Sequence, residues 1–307
     1  MPFSFSPSSN FMRSPAIHTR PLVRLSLILS AFIGVLTGCS GSGSRIINAL
    51  TPSDGYVETH DIAYGDGPRR RLDVYRPAAL ALDAKAPVVV FFFGGSWRTG
   101  SKADYRFVAD ALTSHGIVTV IADYRLYPEV GYPGFLDDTA AAVAWTFREI
   151  DRYGGDPKRV FIAGHSAGAY NAAMVAFDSR WLARYGIGLD RLRGFIGLAG
   201  PYNFLPIEDE GVKEVFDWPD TPANSQPINH VTRDSIASLL IAAKNDTFVY
   251  PEVNTEPMAE RLRASGAEVT VDIHGGVNHV TLVGAMSRPL RPLAPVVKEF
   301  TDFVLTH

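Results

Sequence analysis

The chain has 307 residues, of which 46% are hydrophobic and 20% charged, a composition typical of a folded protein with a large apolar core. Its formal net charge is -3, and because its basic residues do not cluster, a nucleic-acid-binding function is not expected. The single cysteine, Cys39, excludes an intrachain disulfide and a cysteine-based zinc site, and the eight histidines form no metal-binding motif.

The N-terminal residues 1–38 have the pattern of a signal peptide. The first 24 residues contain three arginines and no acidic residue, and the apolar run Leu25–Leu36 that follows is too short to span a bilayer. The run ends in Leu-Thr-Gly-Cys at Cys39, which resembles the bacterial lipobox, in which the cysteine is acylated and becomes the first mature residue. An ordinary signal peptide with an incidental cysteine is the alternative interpretation.

The lipobox resemblance implies where the protein resides. The Ser-Gly repeat after Cys39 predicts a flexible tether over residues 39–55. Ser40 stands where an aspartate would retain a proteobacterial lipoprotein at the inner membrane, which favours the outer membrane. We therefore expect a lipid-anchored protein of the bacterial cell envelope that faces the periplasm, held to the membrane by its lipid because the chain has no polybasic patch.

Strand-like and helix-like runs alternate over residues 56–307, which predicts one α/β domain with a mainly parallel sheet and helices on both faces. The first two runs, Thr59–Tyr64 and Arg71–Tyr75, flank a Gly-rich turn and predict an antiparallel hairpin. The later predicted strands are Pro87–Phe93, Ile117–Ala122, Val160–Ala163, Leu192–Ala199, Leu239–Ala243 and Glu268–His274. The predicted helices are Lys102–His115, Phe135–Tyr153, Pro251–Ser265 and Pro295–Leu305.

The alternation breaks over residues 202–234, a stretch that contains four prolines, an acidic run and several aromatic residues. It follows the carboxyl end of a predicted strand, the side on which open α/β sheets bind ligands. We therefore predict a short cap over the site, with a plain surface excursion as the alternative.

The stretch Arg159–Ala169 carries the main catalytic signal. It predicts a buried strand, a tight turn with the sequence Gly-His-Ser-Ala-Gly, and a helix of small residues, which fits a nucleophile elbow. Side chains at Gly164 and Gly168 would collide with neighbouring backbone, and the sharp turn would present the Ser166 hydroxyl at the amino end of the helix. A Gly-rich turn with a capping serine is the alternative.

A serine nucleophile needs a base and an acid that orients the base. In hydrolases of this topology the order is Ser, Asp or Glu, then His. His279, in a Gly-rich stretch after the last predicted strand, is the expected base, whereas His274 lies within that strand. Asp246, which follows the predicted strand Leu239–Ala243, is the expected orienting acid, with Asp272 as a weaker alternative.

Oxyanion donors are expected from two backbone segments. The Ala167 N–H is one donor by the geometry of the elbow, and the loop after Pro87–Phe93 should supply the other. In that loop the Gly95 N–H is the expected donor, with Gly94 assisting.

Several motifs in this order resemble the α/β-hydrolase fold over roughly residues 57–307. The Gly-Gly-x-Trp segment at Gly94, the Asp-Tyr-Arg-Leu-x-Pro-Glu run at Asp123–Glu129 and the Ser166 elbow resemble the esterase/lipase group. That group includes acetylxylan/feruloyl-type carboxylesterases, hormone-sensitive-lipase-like enzymes and kynurenine formamidases. Where the group has His-Gly-Gly, this chain has Phe93, which puts the loop geometry and substrate range in question unless Phe93 packs beneath the loop.

The expected function is hydrolysis of small-molecule carboxylic esters by a Ser-Asp-His triad through an acyl-enzyme, with no cofactor or metal. Amide hydrolysis of the arylformamidase type and a non-catalytic surface lipoprotein are the alternatives. The aromatic residues Trp97, Phe204, Trp218 and Phe248 are candidates for the substrate pocket, although aromatic side chains near such loops more often pack in the core.

Overall fold

The computed structural model describes residues 1–4 and 40–307. The predicted acylation site Cys39 and nearly all of the predicted signal peptide therefore lie outside the described residues. No helix within the described residues is both long and apolar enough to cross a membrane.

Eight strands form a single sheet in the order β1-β2-β4-β3-β5-β6-β7-β8. Pairing is antiparallel between β1 and β2 and between β2 and β4, and parallel in the rest of the sheet. The strands are β1 (Tyr56–Ala63), β2 (Arg71–Pro77), β3 (Ala86–Phe92), β4 (Val118–Ala122), β5 (Gly155–His165), β6 (Leu192–Leu198), β7 (Ser238–Ala243) and β8 (Val269–His274). The predicted antiparallel hairpin and mainly parallel sheet are confirmed.

Helices cover both faces of the sheet because its central strands are apolar on both sides. In β3, Val88 and Val90 point into one core cluster, whereas Val89 and Phe91 point into the other. The helices are α1 (Ser40–Ala49), α2 (Arg106–Thr113), α3 (Gly134–Glu149), α4 (Ala167–Phe177), α5 (Arg180–Ala183), α6 (Glu210–Phe216), α7 (Thr255–Ser265), α8 (His279–Gly284) and α9 (Val296–Thr306). Helices α3, α4 and α7 contribute to the first cluster, and α2 and α9 to the second.

The prediction of a flexible tether over residues 39–55 needs correction. Helix α1 occupies much of this range, and Ile47 is buried in a core cluster. The Asn48 side-chain amide donates to the Ala103 carbonyl at 2.7 Å, and the Ser44 hydroxyl donates to Asp104 at 3.1 Å. An apolar side chain and these bonds therefore attach the segment to the domain.

The predicted cap over residues 202–234 contains α6 and two short 3₁₀ helices, Ala223–Ser225 and Pro227–His230. Phe216 of α6 is fully buried and its ring meets those of Trp97 and Tyr170 at 4.9 and 5.4 Å. The segment therefore packs on the loop after β3 and on the helix after β5. That it covers a bound substrate stays a prediction.

Candidate active site

The nucleophile candidate Ser166 lies in a strained turn between β5 and α4. Its backbone has φ 54° and ψ −125°, a conformation that side-chain-bearing residues rarely adopt, and its N–H donates to the Leu198 carbonyl at 2.9 Å. Adding a Cβ to Gly164 would place it 2.3 Å from the Gly168 backbone, and a Cβ on Gly168 would lie 2.1 Å from the Phe92 carbonyl oxygen. Glycine is therefore required at both positions for the strand and helix to approach so closely.

Ser166, His279 and Asp246 form one hydrogen-bonded line, although they are far apart in the sequence. His279 Nε2 lies 2.8 Å from Ser166 Oγ, and His279 Nδ1 lies 2.7 Å from Asp246 Oδ2. These residues follow β5, β8 and β7, so the carboxyl edge of the parallel sheet brings them together. His279 begins α8 rather than lying in an open loop, and Asn278 caps that helix by accepting from the Thr281 N–H at 2.9 Å.

Asp246 is held as a carboxylate that faces the imidazole. It is 3% exposed, and its Oδ1 accepts from the Phe248 and Val249 amides, each at 2.9 Å. Burial by itself would raise the pKa of Asp246, but the His279 hydrogen bond and charge together with the two amides outweigh it, so the pKa lies below its usual value. The acid is therefore ionised and oriented by its own turn.

Other titratable residues that the sequence offered lie elsewhere. His274 Nε2 lies 2.9 Å from Glu299 Oε2, and His230 Nε2 lies 2.6 Å from the Asn224 carbonyl oxygen. Asp272 lies within β8, whereas His279 lies beyond the end of that strand. None of these three completes the line to Ser166.

Two backbone amides are available near the nucleophile as oxyanion donors. Within the described part of the chain, neither the Gly95 N–H nor the Ala167 N–H has a hydrogen-bond acceptor. The Gly94 N–H, expected to assist, instead donates to the Tyr105 hydroxyl oxygen at 3.2 Å, which corrects its predicted role. Gly94 still contributes by close approach, since a Cβ there would lie 2.9 Å from Ser166 Cβ.

Phe93 packs beneath this loop. Its side chain is fully buried and stacks on Tyr124, with ring centroids 4.5 Å apart and planes 17° apart. The Tyr124 hydroxyl donates to the Phe93 carbonyl oxygen at 2.8 Å, and a Cβ on Gly100 would lie 2.8 Å from the Phe93 ring. Aromatic stacking and close packing therefore support the loop where relatives of this group have histidine.

The candidate pocket residues divide into packed and exposed ones. Trp97 is 3% exposed, and its indole N–H donates to Asn171 Oδ1 at 2.9 Å, so it belongs to the core. Phe204 and Trp218 are partly buried and pack against the same core. Phe248 is 76% exposed, and its ring centroid lies 5.4 Å from that of His279. Of the four, Phe248 alone combines exposure with contact to a triad residue.

The sequence interpretation missed two residues that contact the site, Tyr105 and His165. His165 Nδ1 lies 2.9 Å from the Tyr105 hydroxyl oxygen, and its Nε2 lies 3.0 Å from the His279 carbonyl oxygen. The position of His165 directly before Ser166 was the feature of the sequence that could have pointed to it. Its hydrogen-bond partners Tyr105 and His279, however, are 60 and 114 residues away in the sequence.

The chain is similar in sequence and in fold to known esterases. The BD-FAE family matches residues 72–186. The chain is 31% identical over 227 residues to esterase LipC of Mycobacterium tuberculosis, covering 68% of this chain and 56% of LipC. It is 27% identical over 244 residues to a probable isoprenylcysteine alpha-carbonyl methylesterase of Arabidopsis thaliana, covering 72% of this chain and 50% of that protein. The chain thus spans about half the length of either relative.

A third relative and two solved structures extend the comparison. The kynurenine formamidase of Salmo salar is 24% identical over 229 residues, covering 73% of this chain and 75% of that protein. A carbohydrate esterase from gut microbiota superposes with a TM-score of 0.73 at 19% identity, covering 83% of this chain and 98% of that one. Esterase 2 of Thermogutta terrifontis superposes with a TM-score of 0.68 at 20% identity, covering 83% and 96%. With the strand order described above, these similarities show that the chain has the α/β-hydrolase fold, in a form similar to that of known esterases.

Proposed function

We propose that this protein hydrolyses small-molecule carboxylic esters with Ser166 as the nucleophile. The observation that carries the proposal is the continuous hydrogen-bonded line from Ser166 Oγ through the His279 imidazole to Asp246, with distances of 2.8 and 2.7 Å. A serine hydroxyl becomes an effective nucleophile when an oriented imidazole removes its proton. The similarity to named esterases supports ester substrates in particular.

In the proposed reaction, Ser166 Oγ attacks the acyl carbon while His279 Nε2 takes the hydroxyl proton. The Asp246 carboxylate stabilises the imidazolium that results, and the Gly95 and Ala167 amides donate to the developing oxyanion. His279 then returns the proton to the leaving alcohol as the ester bond breaks. Water, deprotonated by His279, attacks the acyl-enzyme and releases the carboxylic acid.

Hydrolysis of a short-chain nitrophenyl ester tests the proposal. Ser166→Ala is expected to lower kcat by about 10⁶-fold, because loss of the nucleophile removes the activity of the whole triad. Ser287→Ala is the matched control, since Ser287 is buried and its hydroxyl donates to the Gly284 carbonyl in α8 rather than to a triad side chain. Full activity of Ser166→Ala would contradict the mechanism, and absence of fluorophosphonate labelling at Ser166 would favour a non-catalytic binding module.

Amide hydrolysis is the second candidate, and the similarity to a kynurenine formamidase supports it. The same triad can protonate an amine as readily as an alcohol when the tetrahedral intermediate collapses. Comparing kcat/KM for N-formylkynurenine with that for phenyl acetate decides between the two. A higher value for the formamide would replace the ester proposal.

We also propose that the protein is anchored by a lipid on Cys39, the first mature residue in the lipobox pattern, at the outer membrane and facing the periplasm. The supporting observation is the position of the single cysteine directly after the apolar run. Cys39→Ala is expected to move the protein from the membrane fraction to the soluble fraction. Retention of the variant in the membrane fraction would refute the lipid anchor.

A further inference from the structure

A chain of hydrogen bonds connects the loop after β3 to His279, the residue that begins α8. The Gly94 N–H donates to the Tyr105 hydroxyl oxygen at 3.2 Å, and the same oxygen lies 2.9 Å from His165 Nδ1. On its other side, His165 Nε2 lies 3.0 Å from the His279 carbonyl oxygen. We call these two side chains, Tyr105 and His165, the bridge.

The partners determine the direction of each bond in the bridge. The His279 carbonyl oxygen can only accept, so His165 Nε2 must carry a proton and donate. Burial of the ring, together with the nearby His279, lowers the pKa of His165 to about 3, so the imidazole is neutral and Nδ1 is an acceptor. The Tyr105 O–H therefore donates to Nδ1, and its lone pair accepts the Gly94 N–H. Every polar atom of the bridge is thereby satisfied.

The bridge joins the two segments whose relative position the reaction depends on. Gly94 directly precedes the proposed oxyanion donor Gly95, and a Cβ on Gly94 would lie 2.9 Å from Ser166 Cβ. His279, whose carbonyl oxygen the bridge holds, is the proposed base. His165 is 5% exposed, so water cannot readily replace these bonds if one partner is removed.

We propose that Tyr105 and His165 are positioning residues. They hold the loop after β3, which carries the proposed oxyanion donor Gly95, and the proposed base His279 in the correct positions relative to Ser166. Neither side chain is proposed to contact the reacting atoms. They act through the Gly94 amide and the His279 backbone, and small displacements of such groups cost as much as about 10²-fold in rate. This inference rests on the proposed Ser166 mechanism.

Three variants test the bridge. Tyr105→Phe removes one hydroxyl and leaves the ring, and His165→Leu removes both bonds of the imidazole. His165→Gln restores an N–H donor that can reach the His279 carbonyl. The matched control is Tyr64→Phe, because the Tyr64 hydroxyl also donates to a backbone carbonyl, that of Asp123 at 2.6 Å, without contacting either bridge residue.

Tyr105→Phe and His165→Leu are each expected to lower kcat by about 10- to 100-fold with KM changed by less than about threefold, since substrate binding groups remain. The double variant should lose no more than the worse single variant, because both break one connection. His165→Gln should recover part of the loss. For the wild type, ¹⁵N NMR should show the His165 ring neutral and protonated at Nε2 near pH 5.

The rate at which a fluorophosphonate labels Ser166 separates failure of this inference from failure of the proposed function. Labelling requires the nucleophile, the base and the oxyanion donors but not the natural substrate, so an inactive wild type on esters would leave the comparison intact. Labelling and kcat of Tyr105→Phe equal to those of Tyr64→Phe would overturn the bridge. Strictly additive losses in the double variant, or a proton on His165 Nδ1, would also overturn it.

Discussion

Acid should lower the free energy of unfolding of this protein, because His165 is buried and its pKa is lowered. Burial, reinforced by His279, lowers the pKa of His165 from an ordinary 6.5 to about 3. In the unfolded chain the imidazole is in water and binds a proton below its ordinary pKa, whereas the folded protein does not bind that proton until the pH approaches 3. Between these values the unfolded state holds more protons, so the free energy of unfolding decreases as the pH falls.

The two pKa values determine the size of this contribution. Each pKa unit corresponds to about 1.4 kcal/mol, so the loss of stability from His165 is about 2 kcal/mol near pH 5 and reaches about 5 kcal/mol near pH 3. About 2 kcal/mol is a large fraction of the stability of a typical domain. The stability is fully present above about pH 6.5.

Urea unfolding at about pH 7.5 and about pH 5, at constant ionic strength, measures the effect. For each protein, the change in unfolding free energy between the two pH values is determined. The change for His165→Gln, which has no titrating side chain at this position, is then subtracted from the change for the wild type. His115→Gln is the control, because His115 is exposed. If the wild type and His165→Gln lose the same stability to within about 0.5 kcal/mol, His165 is not buried as a neutral ring and the reasoning is wrong.

Three further predictions concern the active site. Asp246→Asn should lower kcat on a nitrophenyl ester by about 10³- to 10⁴-fold with the fold intact by circular dichroism, since the base loses its orienting carboxylate. Gly95→Ala should abolish activity, because its Cβ would lie 2.2 Å from a backbone oxygen, whereas Gly67→Ala, also at positive φ but with nothing within 4 Å, should keep it. Phe93→Ala should lower the free energy of unfolding by about 3–5 kcal/mol in urea titrations; a loss below about 1 kcal/mol would contradict its role beneath the loop.

Most of the sheet could be predicted from local pattern. Apolar runs such as that in β3 predict strands buried on both faces, and the structure places them so. Boundaries were less predictable, because β5 begins at Gly155, in a polar stretch that local sequence assigns to a turn. Pairing with β3, which is formed far away in the sequence, extends that strand.

The segment before β1 shows more clearly that local sequence does not predict structure that depends on distant contacts. A Ser-Gly repeat has low helix propensity, so local sequence predicts a tether. The structure shows the helix Ser40–Ala49, with Ile47 inserted into the core. Tertiary packing provides the stabilisation that propensity lacks.

The sequence by itself determined the fold class and the candidate nucleophile, base and acid, because glycine spacing and strand-end positions are local properties. Only the tertiary structure decided that these three side chains are within hydrogen-bond distance, that the Gly94 amide is taken by Tyr105, and that Trp97 belongs to the core. Those outcomes depend on contacts between residues tens to more than a hundred positions apart. Such contacts follow from how strands are ordered in the sheet, and no local pattern records that order.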